Sequence, residues 1–164
     1  MSWVAVAILA FVTAQRLAEL WLSNRNTRRL LAEGAREHGR AHYPLIVAVH
    51  AAWLATLWWL APGQPIHFAL LALFLGLQMG RVWVIATLGK RWTTRIIVLS
   101  DTPLVKRGPY RFVAHPNYAI VALEIALLPL VFGLTAVALV FTVLNAVVLS
   151  IRIRAEEMAL SGRA

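Results

Sequence analysis

Cysteine is absent from the sequence, which excludes disulfides, thiolate metal sites and cysteine nucleophiles. Charge is scarce: 14% of the residues are Asp, Glu, Lys or Arg, against about 25% in soluble domains. Acidic residues are scarcer still, 7 against 16 Lys and Arg. No glycine-rich loop follows a strand, so a soluble Rossmann-type nucleotide site is excluded. The opening MSWVAVAILAFV lacks both a basic n-region and an A-x-A-type cleavage site, so it reads as a retained first span rather than a signal peptide. Together these absences argue against a soluble globular enzyme.

What the chain has in abundance is apolar length. Of its 164 residues 60% are hydrophobic, and the mean hydropathy is +0.71. That content also excludes a disordered chain. Several stretches run for about 18–20 residues almost without charge, long enough to cross a hydrocarbon core of about 30 Å. The predicted fold is an all-α integral membrane protein of about five transmembrane helices, a single membrane domain over residues 1–164. The spans are placed at about 3–22, 44–61, 66–88, 116–132 and 134–151, with a loop over 89–115 and a helix end over 152–160. Ser23-Asn24-Arg25-Asn26 is polar enough to leave the bilayer, Pro44 suits the first turn of a helix, and Ala61-Pro62-Gly63-Gln64-Pro65 closes the second span. Only Phe132-Gly133-Leu134 separates the last two spans, so these form a tight helical hairpin.

The basic residues test this topology. Segments 23–43 and 89–115 and the tail after 151 hold fourteen of the 16 Lys and Arg, all on one side if there are five spans. The turns at 62–65 and around 133 hold none. The positive-inside rule then makes the charged side cytoplasmic, with the N-terminus outside and the C-terminus inside. The net charge of +9 is on this reading a signal of orientation and of contact with membrane lipids, not of nucleic-acid binding. The expected location is the inner (cytoplasmic) membrane, as a multi-pass protein.

Gln15, Arg16, Glu19, Gln78, Arg81 and Glu124 stand out as polar residues within the spans. Charges at this depth are costly and normally face the bundle interior. Arg16 and Glu19 are spaced to pair on one helix. Arg81 lies near the charged end of its span and is expected to snorkel. Glu124 has no local partner and is free to meet Arg16, Arg81 or a polar cavity. The pattern Gly76-Leu77-Gln78-Met79-Gly80 permits close helix approach and is read as ordinary packing. His50 and His67 are read as packing or interface residues, His38 and His42 lack a third ligand, and no metal is assigned.

The chemistry is expected in 99–118, where Pro103, Gly108, Pro109 and Pro116 surround Tyr110, His115, Asn117 and Tyr118. A simple connecting loop needs neither this density of turns nor two aromatics and an imidazole. Arg152 and Glu156 follow the fifth span at helical i, i+4 spacing. The short hairpin returns them to the membrane face that carries His115.

Gly108-Pro109-Tyr110-Arg111, His115-Pro116-Asn117-Tyr118 and Arg152-x-x-x-Glu156-Glu157 resemble the signature of the isoprenylcysteine carboxyl methyltransferase family, over roughly residues 70–160. The resemblance implies an integral-membrane O-methyltransferase that uses S-adenosyl-L-methionine. Carried over by motif, Thr102, Pro103, Leu104 and Val105 contact the cofactor, largely through backbone, and Tyr110 contributes to the same pocket. His115, Pro116, Asn117 and Tyr118 line the nucleoside, Glu156 binds a polar group of the cofactor, and Arg152 faces the acceptor as the catalytic residue. Thr102 stands where the family often has His, and Ala114 where it often has Arg. The chain stops soon after Glu157, which turns the expected acceptor away from a prenylated protein. A lipophilic small molecule entering from the bilayer is expected instead, methylated on a carboxylate or on a phenol or enol oxygen. His115 is read as a pocket residue rather than a base. Two rival functions are an NADPH-dependent membrane reductase of the sterol reductase type and a non-enzymatic carrier or scaffold.

Overall fold

A computed structural model describes residues 3–99, 102, 103 and 105–161. Five helices make up the bundle: α1 (Trp3–Ala32), α2 (Tyr43–Leu60), α3 (Phe68–Leu88), α4 (Pro116–Val131) and α5 (Thr135–Ser161). Four of them are long and apolar enough to cross a membrane, and α4 is a shorter apolar helix. The chain is thus the all-α membrane protein that its composition implies.

The bundle has an inside even though its helices are apolar around their whole circumference. On α1 the buried stripe runs Ala5, Leu9, Val12, Glu19, Ser23, Asn26 and Leu30, spaced by three, four or seven residues as one face of a 3.6-residue helix requires. Its first half packs with Trp53 and Leu57 of α2, Phe74 of α3, and Ile125 and Leu128 of α4. Trp53 Nε1 donates to the Ile125 carbonyl at 3.2 Å and ties α2 to α4. Large apolar side chains such as Trp3, Trp21, Trp59 and Met79 stay exposed, on the outer surface that a bilayer would cover.

Gly133 turns α4 into α5. It takes φ +68°, a left-handed conformation that costs glycine nothing. The tight hairpin follows, and α4 and α5 are antiparallel neighbours. Gly80 of α3 lies against Ile120 of α4, at van der Waals distance for a Cβ, whereas a Cβ at Gly76 would meet nothing within 4 Å, so of the GxxxG pair Gly80 is the one in packing contact.

Two helices outrun the apolar segments that announce them. α1 continues to Ala32, about ten residues past the expected end at 22, and α5 runs to Ser161, through the helix end expected over 152–160. Hydropathy marks where lipid ends, not where helix ends, and the polar continuation of α1 has its own partners. Ser23 Oγ accepts from the Thr94 amide at 2.8 Å. Asn26 Nδ2 donates to the Trp92 carbonyl at 2.7 Å. The segment after α3 is thereby strapped to α1. A second strap was absent from the sequence reading: β1 (Arg36–His38) pairs antiparallel with β2 (Ile96–Val98), Glu37 opposite Ile97.

Arg81 does not snorkel. It is 4% exposed and is bound by two carboxylates. Its Nε donates to Glu19 Oε1, its Nη2 to Glu19 Oε2 at 2.6 Å, and its Nη1 to Glu124 Oε2 at 2.7 Å. Arg16 bridges the same pair, reaching Glu19 at 3.0 Å and Glu124 at 2.7 Å. Gln78 Nε2 donates to Glu124 Oε1 at 2.8 Å. Two cations and two anions from α1, α3 and α4 therefore balance inside the bundle, as buried charges must.

Candidate active site at the basic end of the bundle

The loop between α3 and α4 is shaped by Gly108, at φ +57° in the short turn Gly108–Arg111. A Cβ there would stand 2.5 Å from Thr87 Oγ1 at the end of α3. Gly108→Ala is expected to cost about 1–2 kcal/mol for the left-handed backbone alone, and more for the clash. Gly34→Ala, at φ +90° with nothing within 4 Å, should show the backbone cost without the clash. Thermal unfolding of the two variants in detergent checks the difference.

Beyond this turn, His115 precedes α4 and Pro116 occupies its first turn, where a missing amide proton costs no hydrogen bond. Tyr118, two residues further along the first turn, meets the end of α5. Its hydroxyl donates to Glu156 Oε2 and accepts from Arg152 Nε at 2.9 Å. The Arg152 guanidinium also lies over the Tyr118 ring, 5.4 Å from its centroid. The Tyr118 ring also stacks with His115, centroids 5.3 Å apart and planes inclined by 20°. His115 Nδ1 stands 4.0 Å from Glu156 Oε2. The two motifs that the hairpin brings to one face are thus joined through a single phenol.

These residues form one side of a cavity of about 680 Å³, within the range of small-molecule sites. Thr102, Pro103, Val105, Tyr110, His115, Asn117, Tyr118, Arg152 and Glu156 all line it. Pro116 is buried beneath and is not part of its wall, and Leu104 lies outside the described residues. Burial, followed by the Glu156 carboxylate, pushes the Tyr110 phenol up to about 12, so its hydroxyl stays protonated through the neutral range.

No site role was assigned to the far wall from the sequence. It comprises Arg91, Trp92, Arg95 and the strand β2. Arg91 Nη1 donates to the Pro103 carbonyl at 3.0 Å, and Arg95 is held by Glu37 at 2.9 Å. Trp92 is 1% exposed, an unusual depth for a residue in a basic loop. Only the straps from α1 and β1 put these side chains opposite Glu156, and no local pattern announces them.

A second cavity, of about 290 Å³, lies deeper among α1, α2, α4 and α5. Its wall is largely apolar, with Leu17, Leu20, Ile46, Val47, Leu54 and Val121 among its residues. Trp92, Asn117, Tyr118 and Arg152 line both cavities. Arg152 is 8% exposed and, among the described residues, bonds through Nε, with no hydrogen bond there from its two terminal nitrogens. Two other groups of this shared wall have no hydrogen-bond partner among the described residues, the Asn117 Oδ1 acceptor and the Trp92 Nε1 donor. Buried polar atoms are rarely left so. An orphaned amide, an orphaned indole N–H and a half-engaged Glu156 carboxylate together suit an adenosyl amino acid, which has hydroxyls, ring nitrogens and an ammonium to offer. Among the described residues no group of three potential ligands is placed to hold a metal ion.

Comparison with known proteins agrees with this geometry. The pattern described as the isoprenylcysteine carboxyl methyltransferase (ICMT) family matches residues 70–162, from the start of α3 to the end of α5. YpbQ of Bacillus subtilis (strain 168), an uncharacterized protein, is 38% identical over 173 residues, covering 98% of this chain and 96% of its own. An uncharacterized protein of Haemophilus influenzae is 28% identical over 159 residues, covering 93% and 92% respectively. No solved structure matches the chain.

Proposed function

The chain belongs to the isoprenylcysteine carboxyl methyltransferase family, which makes it a multi-pass membrane methyltransferase, and from that premise we propose that it methylates an oxygen of a lipophilic small molecule with S-adenosyl-L-methionine. The observation that carries this reading is the pair of cavities meeting at Trp92, Asn117, Tyr118 and Arg152. One carries the larger share of polar and charged groups and lies at the basic end; the other is the more apolar and lies among the helices. A water-borne donor and a bilayer-borne acceptor approach one wall from opposite sides.

The cofactor supplies a methyl group on a sulfonium, whose transfer is an in-line displacement that depends chiefly on positioning. Glu156 accepts hydrogen bonds from its ammonium or hydroxyls, and Arg91 and Lys106 are the cations available to its carboxylate. His115, Asn117, Tyr110 and the 102–105 segment, including Leu104, enclose its nucleoside. Arg152 presents its terminal nitrogens to the acceptor oxygen. A guanidinium matches a carboxylate in geometry, and its charge favours the ionised form of a phenol or enol. A carboxylate acceptor needs no base. Tyr118 holds Arg152 in place through the Nε bond and the ring face. In the cell the basic end would face the cytoplasm, from the inner (cytoplasmic) membrane, with the N-terminus outside. The acceptor enters laterally from the lipid, and nucleic acid has no part in the activity.

Calorimetric titration of S-adenosylhomocysteine into the detergent-purified protein tests the cofactor. Wild type should bind, and Glu156→Ala and His115→Ala should each weaken binding by roughly tenfold or more, about 1.4 kcal/mol. A folded wild-type protein that does not bind ends the reading.

A further inference from the structure

The deep end of the second cavity holds polar groups that methyl transfer does not use. Asn145 of α5 is 4% exposed, lines this cavity, and its amide has no hydrogen-bond partner among the described residues. An asparagine within an apolar helix costs free energy wherever its amide goes unmatched. His50 of α2 lines the same cavity. Its Nδ1 is 2.8 Å from the Ile46 carbonyl. A carbonyl only accepts, so Nδ1 carries the proton and the neutral ring offers Nε2 as an acceptor.

The depth of these groups is consistent from three helices. Asn145 is seven residues from Arg152, His50 seven from Tyr43, and Arg16 seven from Ser23, two turns and roughly 10 Å in each case. Tyr43 and Ser23 both bond to Thr94 at the basic end of the cavity, at 2.9 and 2.7 Å. Asn145 and His50 therefore lie at the level of the Arg16–Glu19–Arg81–Glu124 cluster, where the charges are already matched and no ion is called for. Besides the Arg16 Nε donor, which has no hydrogen-bond partner among the described residues, the cavity presents at that level an amide that donates and accepts and an imidazole nitrogen that accepts. A hydroxyl answers both, donating to His50 Nε2 and accepting from Asn145 Nδ2.

We propose that the acceptor carries a neutral hydroxyl roughly 10 Å from the oxygen that Arg152 faces, and that Asn145 and His50 select for it. This rests on the methyltransferase reading for the role of Arg152, while the hydroxyl site itself does not. Ricinoleate and oleate serve as probes, because they share a carboxylate and a chain and differ by one mid-chain hydroxyl. Equilibrium dialysis of each labelled acid against the protein in nanodiscs, with empty nanodiscs subtracted, should show ricinoleate favoured by roughly tenfold, the order expected for a matched buried hydrogen bond. Asn145→Leu and His50→Leu should each bring that preference close to unity, leaving oleate binding in place and S-adenosylhomocysteine binding as in wild type. Equal affinity of the wild type for the two acids, no binding of either, or a preference that survives both substitutions overturns the proposal. A preference that depends on Asn145 and His50 in a protein that fails to bind S-adenosylhomocysteine keeps the hydroxyl site and ends the methyltransferase reading.

Discussion

Glu124→Ala is expected to destabilise the bundle by about 3–5 kcal/mol, the cost of leaving a buried charge without its partner. Glu124 is 0% exposed and accepts from Arg16, Arg81 and Gln78. Its loss leaves two arginines to share Glu19, and an uncompensated positive charge within the helices. The residual polar atoms have no water to turn to. The effect should appear as a lowered unfolding midpoint in detergent. Pairing the change with the loss of a cation distinguishes charge balance from lost packing. Arg16→Met combined with Glu124→Leu keeps the Arg81–Glu19 pair and leaves the interior neutral. This double variant should be the more stable of the two, although it removes more hydrogen bonds. A double variant less stable than Glu124→Ala would mean that geometry, not net charge, holds the cluster together. The cluster has a second consequence, since Arg16, Glu19 and Arg81 also line the deep cavity and any loosening there should reach the acceptor.

Arg152→Lys is expected to lower methyl transfer by about 10²-fold, of the order found when one positioned donor is removed from a reacting oxygen. Lysine keeps the charge and loses both the fork and the Nε bond to Tyr118. Tritiated methyl groups carried from the cofactor into the organic extract of membranes would report the rate. Affinity for S-adenosylhomocysteine should change only a few-fold, because Glu156 and His115 are untouched. An equal loss in both measurements would move Arg152 from the acceptor side of the wall to the cofactor side. The comparison separates the two cavities functionally, as their shared wall separates them in space.

Much of the site was legible because the hairpin is local. Residues 116 to 156 fold back through Gly133, so a motif before α4 and a motif at the end of α5 can meet only at one face. The Tyr118 bonds to Arg152 and Glu156 realise that meeting. Asn145 was open to the same reasoning that singled out Glu124, as a polar residue inside an apolar span, yet it was not singled out. His50 was read as packing, and its place in a cavity wall depends on α2 facing α5.

Run length and charge placement by themselves determined that this chain is a bundle of five apolar helices with its basic residues gathered at one end. Both are additive along the chain and need no knowledge of which helix touches which. The reach of α1 beyond its apolar run, the three-residue strands, the burial of Arg81 and Trp92 and the existence of the second cavity were decided by tertiary structure alone. Arg16 meets Glu124 across 108 residues and Asn26 meets Trp92 across 66. Each of these side chains, read alone, has an equally good place in solvent or at a headgroup. Only the packing of α1 against the rest of the chain removes that alternative, because burial makes an unmatched polar group costly and so selects its partner.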